Sequence, residues 1–433
     1  MIERPQFSSR FVAILTVLGA SIGLGNVWRF PYMMGKTGGS AFLAVYLLFT
    51  LLIAVPAMTA EWSLGRHTRR GPIGAFAHAF GNRIGTPIGY ALLVVVGIAL
   101  SYYIVVIANV IYTTAFATLV GFSDSSFKSY RAGLDNGWLQ YAICLGVLFG
   151  SLYVVHRGLR LGIEKVSRVF VPVFFIVVIA LVLLALSLPG ATDKLVEFLQ
   201  PDFSSLGVNE IFLALGQSVF SLGLGATILL MYGSYMRAED SLLPSAFIAG
   251  LGDTAAALLA SMLIVPAVLV FGLDLSAGPQ LIFDTLPRLF AAAPQGNLLG
   301  SVFLVALTLM AFLSAVAPLE AIIGELHQTH ERRFSRRQVI VAMGVLQALL
   351  IFPSALRPEL IGILDLVFGA GMQALGTGLA AVALTWALGR GISMHQLFSK
   401  PEGLWQTLYF QWLKWVVPGT VFTVLAGYVY SLT

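Results

Sequence analysis

Gly19-Ala-Ser-Ile-Gly-Leu-Gly-Asn-Val-Trp-Arg-Phe-Pro31 lies inside an apolar run that begins near Phe11. A plain membrane anchor has no use for three glycines, an asparagine, an arginine and a proline in so short a stretch. Gly23, Gly25 and Pro31 are residues that let a helix break. Broken backbone at membrane depth is tolerated where it is buried in protein or lines a cavity. The stretch therefore predicts a transmembrane helix unwound in its middle, with freed amides and carbonyls turned toward a ligand.

The motif occurs twice. Ser21-Ile-Gly-Leu-Gly-Asn26 returns as Ser221-Leu-Gly-Leu-Gly-Ala226, and Tyr32 returns as Tyr232 at the same offset. Glycine-interrupted apolar segments at matching places in two halves point to a transporter site between inverted repeats. The alternative, two small-residue packing motifs, explains either copy alone better than it explains the pair.

Composition agrees with a polytopic membrane protein. The 433 residues are 58% hydrophobic and 10% charged, with a mean hydropathy of +0.89. Such a chain is not a soluble globular protein. The single cysteine, Cys144, excludes an internal disulfide. No cleavable leader is expected, because Met1 to Arg10 is short and polar and the next apolar run carries the glycine motif. The net charge of +5 reads as topology, with no nucleic-acid partner.

Eleven apolar segments are expected, at about 11–34, 40–64, 86–119, 138–156, 166–189, 208–235, 243–272, 298–327, 338–353, 359–388 and 405–431. They form a single transmembrane domain over 1–433, with repeat 1 at about 11–190, repeat 2 at about 208–388, and a peripheral helix at about 405–431. With a cytoplasmic N-terminus, 18 of the 25 basic residues fall inside and 7 outside. The positive-inside rule thus predicts N-in and C-out. Residues 273–297, rich in proline, are expected to form a short helical hairpin over an outer vestibule.

Gly25-Asn-Val-Trp-Arg-Phe-Pro31 resembles the first-helix signature of the neurotransmitter:sodium symporter family. Glu61-Trp-Ser-Leu-Gly-Arg66 is similar to its second-helix end. Gly216-Gln-Ser-Val-Phe-Ser-Leu-Gly-Leu-Gly225 and Tyr232-Gly-Ser-Tyr235 are similar to its sixth helix. The likeness runs through segments one to ten, and the short-loop, eleven-helix form resembles the bacterial amino-acid members. It implies an all-α fold of 5+5 inverted repeats with helices 1 and 6 broken. It also implies secondary active symport by alternating access, in a cell membrane, with a monomer sufficient for transport.

Amides freed at Leu24 and Gly25 suit a carboxylate, and the family adds a third-helix tyrosine, here Tyr103. Freed carbonyls of Ser21, Phe220, Ser221 and Gly223 suit an ammonium. Monoamine members of the family carry Asp at the position of Gly23, so Gly23 implies a zwitterionic amino acid. The expected wall is Ala99, Val106, Phe220, Ala226, Ala315 and Pro318. Ala226 stands where relatives carry bulky side chains, so branched or aromatic substrates should fit.

The resemblance maps a first sodium site to Ser21, Asn26, Ser221 and Asp253, all hard oxygen donors. Asp253 supplies a fixed negative charge, so no chloride requirement is expected. The second site maps to the carbonyls of Gly19, Ile22 and Met310 and to Leu313 and Ser314. Leu313 offers no oxygen, which leaves that site one ligand short, with Thr308 near but out of register. Proton coupling is the alternative, because Glu61, Asp253 and Glu320 are acids inside apolar segments. The competing reading of Glu61 and Glu320 is structural, as partners of freed backbone. The outer gate maps to Arg29, Asp365 and Phe220. The inner gate maps to Arg4 and Tyr235, with Gln328 in place of the usual Asp and Glu325 one turn away. No nucleophile or metal motif supports an enzyme, whereas a transporter-like sensor or a channel would share the fold.

Overall fold

A computed structural model describes residues 5–37, 39–275, 278, 280–398 and 403–430. Among these the secondary structure is helical throughout, with no strand. The spans are α1 (Arg10–Ser21), α2 (Gly25–Lys36), α3 (Ser40–Thr68), α4 (Asn82–Leu119), α5 (Gly137–His156) and α6 (Leu159–Leu186). After them come α7 (Val208–Ser221), α8 (Ile228–Tyr235), α9 (Leu242–Val270), α10 (Gly296–Thr329), α11 (Arg336–Leu356), α12 (Glu359–Ala387) and α13 (Val417–Tyr430).

Eight of these helices are long and apolar enough to cross a bilayer, and the bent pair α1–α2 makes a ninth span. The pair α7–α8 consists of runs of 14 and 8 residues. Neither reaches the roughly 20 residues a membrane requires, so they cross only together. The final span is also built in pieces, Leu404–Gln411, Trp412–Val416 and Val417–Tyr430. Arg336–Leu356 has 21 residues, a full span and longer than the 338–353 expected from the sequence.

The two broken spans begin the two halves, as an inverted repeat requires. Each packs against helices of both halves: α1 lies on α6, α9 and α10, while α8 lies on α3 and α10. Burial separates a central layer from a lipid-facing one. The most apolar windows of α4 and α10 are 72% and 67% buried, those of α6 and α11 only 33% and 39%. Lipid replaces water as solvent for the bare faces, so Ile176, Leu183, Val341 and Leu349 stand exposed without cost.

Sequence reading missed short helices at Pro72–Phe80, Phe127–Leu134 and Ala191–Phe198, which are too brief to carry a periodicity. The proline-rich connection is corrected from a hairpin to one continuous run, Leu281–Thr285 followed by Leu286–Ala292. Its apolar face is buried, and Pro287, inside the run, offers no N–H to the Phe283 carbonyl four residues before it. Tyr130 Oη donates to Phe283 O at 3.2 Å, and Asp284 takes Arg131 and Arg288, which tie this run to Phe127–Leu134.

Candidate functional site

The breaks have a local cause. Helix α1 ends at Ile22, whose ψ of 118° is extended, and α2 leaves at 62° to it. In the second copy, Gly223 (φ +63°), Gly225 (φ +158°) and Ala226 (φ +56°) carry the chain out of helix until Ile228. Two of those three are glycines, which take positive φ without a Cβ clash.

Gly23 is hemmed in from two other helices. A Cβ built there would lie 2.9 Å from Tyr103 Oη and 2.8 Å from Ser314 Oγ. The Gly23 N–H donates to Asn26 Oδ1 at 3.2 Å. One end of the site therefore combines unwound backbone, a phenol and a serine hydroxyl.

Around it lies a cavity of about 110 Å³. Of the expected residues, Ser21, Gly23, Gly25, Ala99, Tyr103, Phe220, Ser221, Gly223 and Pro318 line it. Leu24, Val106, Ala226 and Ala315 do not. The Leu24 and Ala315 side chains are buried in packing at 1% and 0% exposure, while the Leu24 backbone N–H, the group expected at the site, donates to Tyr103 Oη. Val106 sits a turn past Tyr103 along α4. Ala226 needs the plainest correction. Its left-handed backbone turns the Cβ away from the cavity, into a cluster with Leu64, Phe76, Leu92, Leu230 and Ala380. The side chain facing the cavity just beyond the second break is Ile228, and Val96, Leu100, Tyr102, Gly369 and Gln373 complete a wall that motif reading missed.

This changes what substitution should do. Ile228→Phe is expected to shift competition toward small amino acids, by about tenfold for alanine over leucine, because it fills the cavity. Ala226→Phe is expected to lower the melting temperature instead, through overpacking and positive φ. Thermal melts and competition assays on the same preparations check both.

Next to the cavity the first-site residues converge. Asn26 Nδ2 donates to Asp253 Oδ1 at 2.9 Å, to Asp253 O at 3.2 Å and to Ser221 Oγ at 3.1 Å. Ser221 Oγ donates to Asp253 Oδ2. Asn26 and Asp253 are fully buried, and no ion pair of Asp253 occurs among the described residues. Hydroxyl, amide and carboxylate oxygens around one buried negative charge fit a small hard cation.

The second-site residues also meet. Ser314 Oγ lies 3.3 Å from both Ile22 O and Met310 O. Leu313 brings hydrocarbon, its Cδ1 2.9 Å from where a Gly19 Cβ would be. Thr308 pairs with Thr114 Oγ1 at 2.9 Å and faces α4. An oxygen absent from the sequence reading, Ser167 Oγ on α6, comes to 3.3 Å of the same Gly19 point.

At one mouth of the cavity the Arg29 guanidinium lies 4.3 Å over the Phe220 ring. That ring covers Gly25, its Cε1 2.9 Å from an ideal Cβ there. Tyr102 Oη donates to Asp365 Oδ1 at 3.0 Å. At the opposite end, the Phe7 N–H donates to Tyr235 O at 3.0 Å, and the Phe7 ring stands edge-on to Tyr232 and Tyr235. Arg4 lies outside the described residues. Arg69, the left-handed residue that caps α3, donates to Ser234 O and Met236 O at the end of α8. Gln328 donates to Arg69 O at 3.4 Å, and Glu325 Oε1 accepts from Gly74 N–H at 2.8 Å. Arg69 is thus a basic residue at this end that motif reading passed over.

Glu61 and Glu320 both have structural partners. Glu61 Oε1 accepts from the Gly225 N–H at 3.0 Å and from Thr377 Oγ1 at 3.1 Å, so it holds the second break. Glu320 takes Tyr235 Oη and Arg336 Nη2, each at 2.6 Å. Removing one partner from such a buried pair costs about 3–5 kcal/mol.

Comparison with known proteins agrees with this geometry. The family model described as the sodium:neurotransmitter symporter family matches residues 4–122 and 117–429. An uncharacterized sodium-dependent transporter of Bacillus subtilis is 33% identical over 81% of this chain and 78% of its own. One from Methanocaldococcus jannaschii is 28% identical over 98% and 90%. The crystal structure of MhsT in complex with L-phenylalanine superimposes with a TM-score of 0.88 at 28% identity, over 98% of this chain and 99% of that one. Two helices broken at one repeated glycine motif, oxygen donors gathered at the breaks and a match along nearly the whole length lead to one assignment: this multi-pass membrane protein belongs to the sodium:neurotransmitter symporter family.

Proposed function

We propose that the chain is a symporter of neutral amino acids with apolar, branched or aromatic side chains, coupled to one sodium ion and working by alternating access. The observation that carries this is Gly23, held between Tyr103 Oη and Ser314 Oγ at the head of a cavity walled by Val96, Ala99, Leu100, Ile228 and Pro318. That head suits a carboxylate and the wall suits hydrocarbon. MhsT, whose structure contains L-phenylalanine, is consistent with it.

Sodium would be held by Ser21, Asn26, Ser221 and Asp253, where it supplies positive charge near the substrate carboxylate. Asp253 already provides the negative charge that would otherwise call for chloride, so none is required. The Arg29–Phe220–Asp365 end faces outside and the Phe7–Tyr235–Arg69 end faces the cytoplasm, with N-terminus in and C-terminus out. A single transmembrane domain in the cell membrane suffices as a monomer.

Proteoliposome uptake tests the reading. Labelled leucine or phenylalanine should accumulate under an inward sodium gradient and should not when choline replaces sodium. Uptake driven by a pH step alone would favour the second reading, proton coupling. That reading draws on Asp253, a buried carboxylate whose hydrogen-bond partners are Asn26, Ser221 and Ser21. Downhill flux without accumulation would indicate a channel, and binding without flux a sensor.

The second cation site gives a prediction of its own. Leu313→Thr places a hydroxyl beside Ser314, Ile22 O and Met310 O. The sodium dependence of uptake should steepen from a Hill coefficient near 1 toward 2. An unchanged slope would mean that Leu313 is not what limits coupling.

A further inference from the structure

The polar side chains lining the central cavity can be assigned one by one. Ser21 and Ser221 belong to the cation cluster, and Tyr103 and Ser314 flank Gly23. Tyr102 is spent on Asp365. Gln373 is left over. It lines the cavity from α12, yet among the described residues its side-chain amide makes no hydrogen bond.

Its stem is fixed. The Gln373 Cβ and Cγ lie 3.3 and 3.4 Å from the ideal Cβ position of Gly225, against the second helix break. The Gln373 carbonyl accepts from Thr377 Oγ1 at 3.4 Å, and that hydroxyl also reaches Glu61 Oε1 at 3.1 Å. Glu61 in turn holds the Gly225 N–H. A widened helical turn over 365–371 ends just before Gln373 and sets its register. The amide is therefore a donor–acceptor group on a rigid mount, as recognition of a polar atom requires.

Gln373 also lines a neighbouring cavity of about 200 Å³ between α7, α12 and α13, otherwise walled largely by apolar side chains such as Phe212, Val219 and Val424. The Phe220 ring borders both cavities. A substrate side chain that runs along Phe220 thus meets hydrocarbon on its flanks and one amide at this wall.

We infer that Gln373 reads a polar atom on the substrate side chain. Among the neutral side chains that the apolar wall admits, one that also carries a hydroxyl, amide or indole N–H should bind more tightly than a side chain of the same shape without one. This rests on the central cavity being the amino-acid site. A buried amide that must give up water disfavours a ligand offering no replacement partner. The discrimination should be about tenfold for a neutral hydrogen bond.

Equilibrium binding to the full chain in nanodiscs, in sodium, tests it with two matched pairs: L-tyrosine against L-phenylalanine, and L-glutamine against L-methionine. The wild type should bind the polar member of each pair about tenfold more tightly. Gln373→Met, which keeps the length and removes the amide, should bring both ratios to within twofold while phenylalanine affinity stays within about threefold. Should that variant fail to fold, Gln373→Asn, which withdraws the amide by one carbon, should lose the ratio in the same way. Ratios unchanged in a folded variant, or no preference in the wild type, would overturn the inference and leave the cavity reading standing. Failure of all four amino acids to bind the wild type would overturn both.

Discussion

Gly23→Ala should reduce amino-acid binding by roughly a hundredfold or more. The added Cβ would meet Tyr103 Oη at 2.9 Å and Ser314 Oγ at 2.8 Å. Those atoms come from α4 and α10, two of the most buried helices. Ser314 Oγ can turn to another rotamer only by giving up its contacts with Ile22 O and Met310 O, and the Tyr103 ring is held in a buried helix. The clash also falls on the head of the cavity, where the carboxylate is proposed to sit. Loss of one charge-assisted hydrogen bond is worth about 1.5–3 kcal/mol, or about ten- to a hundredfold. Tyr103→Phe should therefore give a partial loss in that range. Scintillation binding with a melting curve on the same sample distinguishes lost recognition from lost fold. Full affinity in a normally folded Gly23→Ala protein would remove the carboxylate site from this place.

Asp253→Asn should lower the apparent sodium affinity by about a hundredfold and leave the fold largely intact. The substitution is nearly isosteric: the new amide keeps one oxygen for Asn26 Nδ2, and Ser221 Oγ, which donates to the other carboxylate oxygen, can turn to accept from the amide NH2 instead. What disappears is the buried negative charge beside the cation. In low dielectric a single charge at a few ångströms is worth several kcal/mol. Chloride could restore part of the missing charge, so sodium titrations with chloride and with gluconate belong in the same experiment. If Asp253 carries a proton instead, the variant should keep binding substrate but lose concentrative uptake, with no dependence on sodium in either protein. An unaltered sodium titration would sink the assignment of this cluster.

The two broken helices were legible in the sequence because glycine and proline act locally. Ser21–Asn26 and Ser221–Ala226 announce a break without reference to the rest of the chain, though only the second takes positive φ, at Gly223, Gly225 and Ala226, while the first turns at the extended Ile22. Asp253, Glu61 and Glu320 were legible as well, because an acid inside an apolar run demands a partner. Which partner each acid found was a matter of packing. Glu320 met Arg336 and Tyr235, and Glu61 met the Gly225 amide and Thr377. Ala226 shows where local reading stops. Helical periodicity assigns faces only along an unbroken helix. Past Gly223 and Gly225 the direction of each Cβ depends on backbone angles that no repeat encodes, so Ala226 turned into a core cluster and Ile228 took the cavity wall. Gln373, Ser167 and Arg69 carry no motif. They reach the site, the second cation position and the Phe7–Tyr235 end only because α12, α6 and α3 fold back onto the breaks. Backbone breaks are properties of a few consecutive residues, whereas the lining of a cavity is set by helices that meet across hundreds of residues of chain.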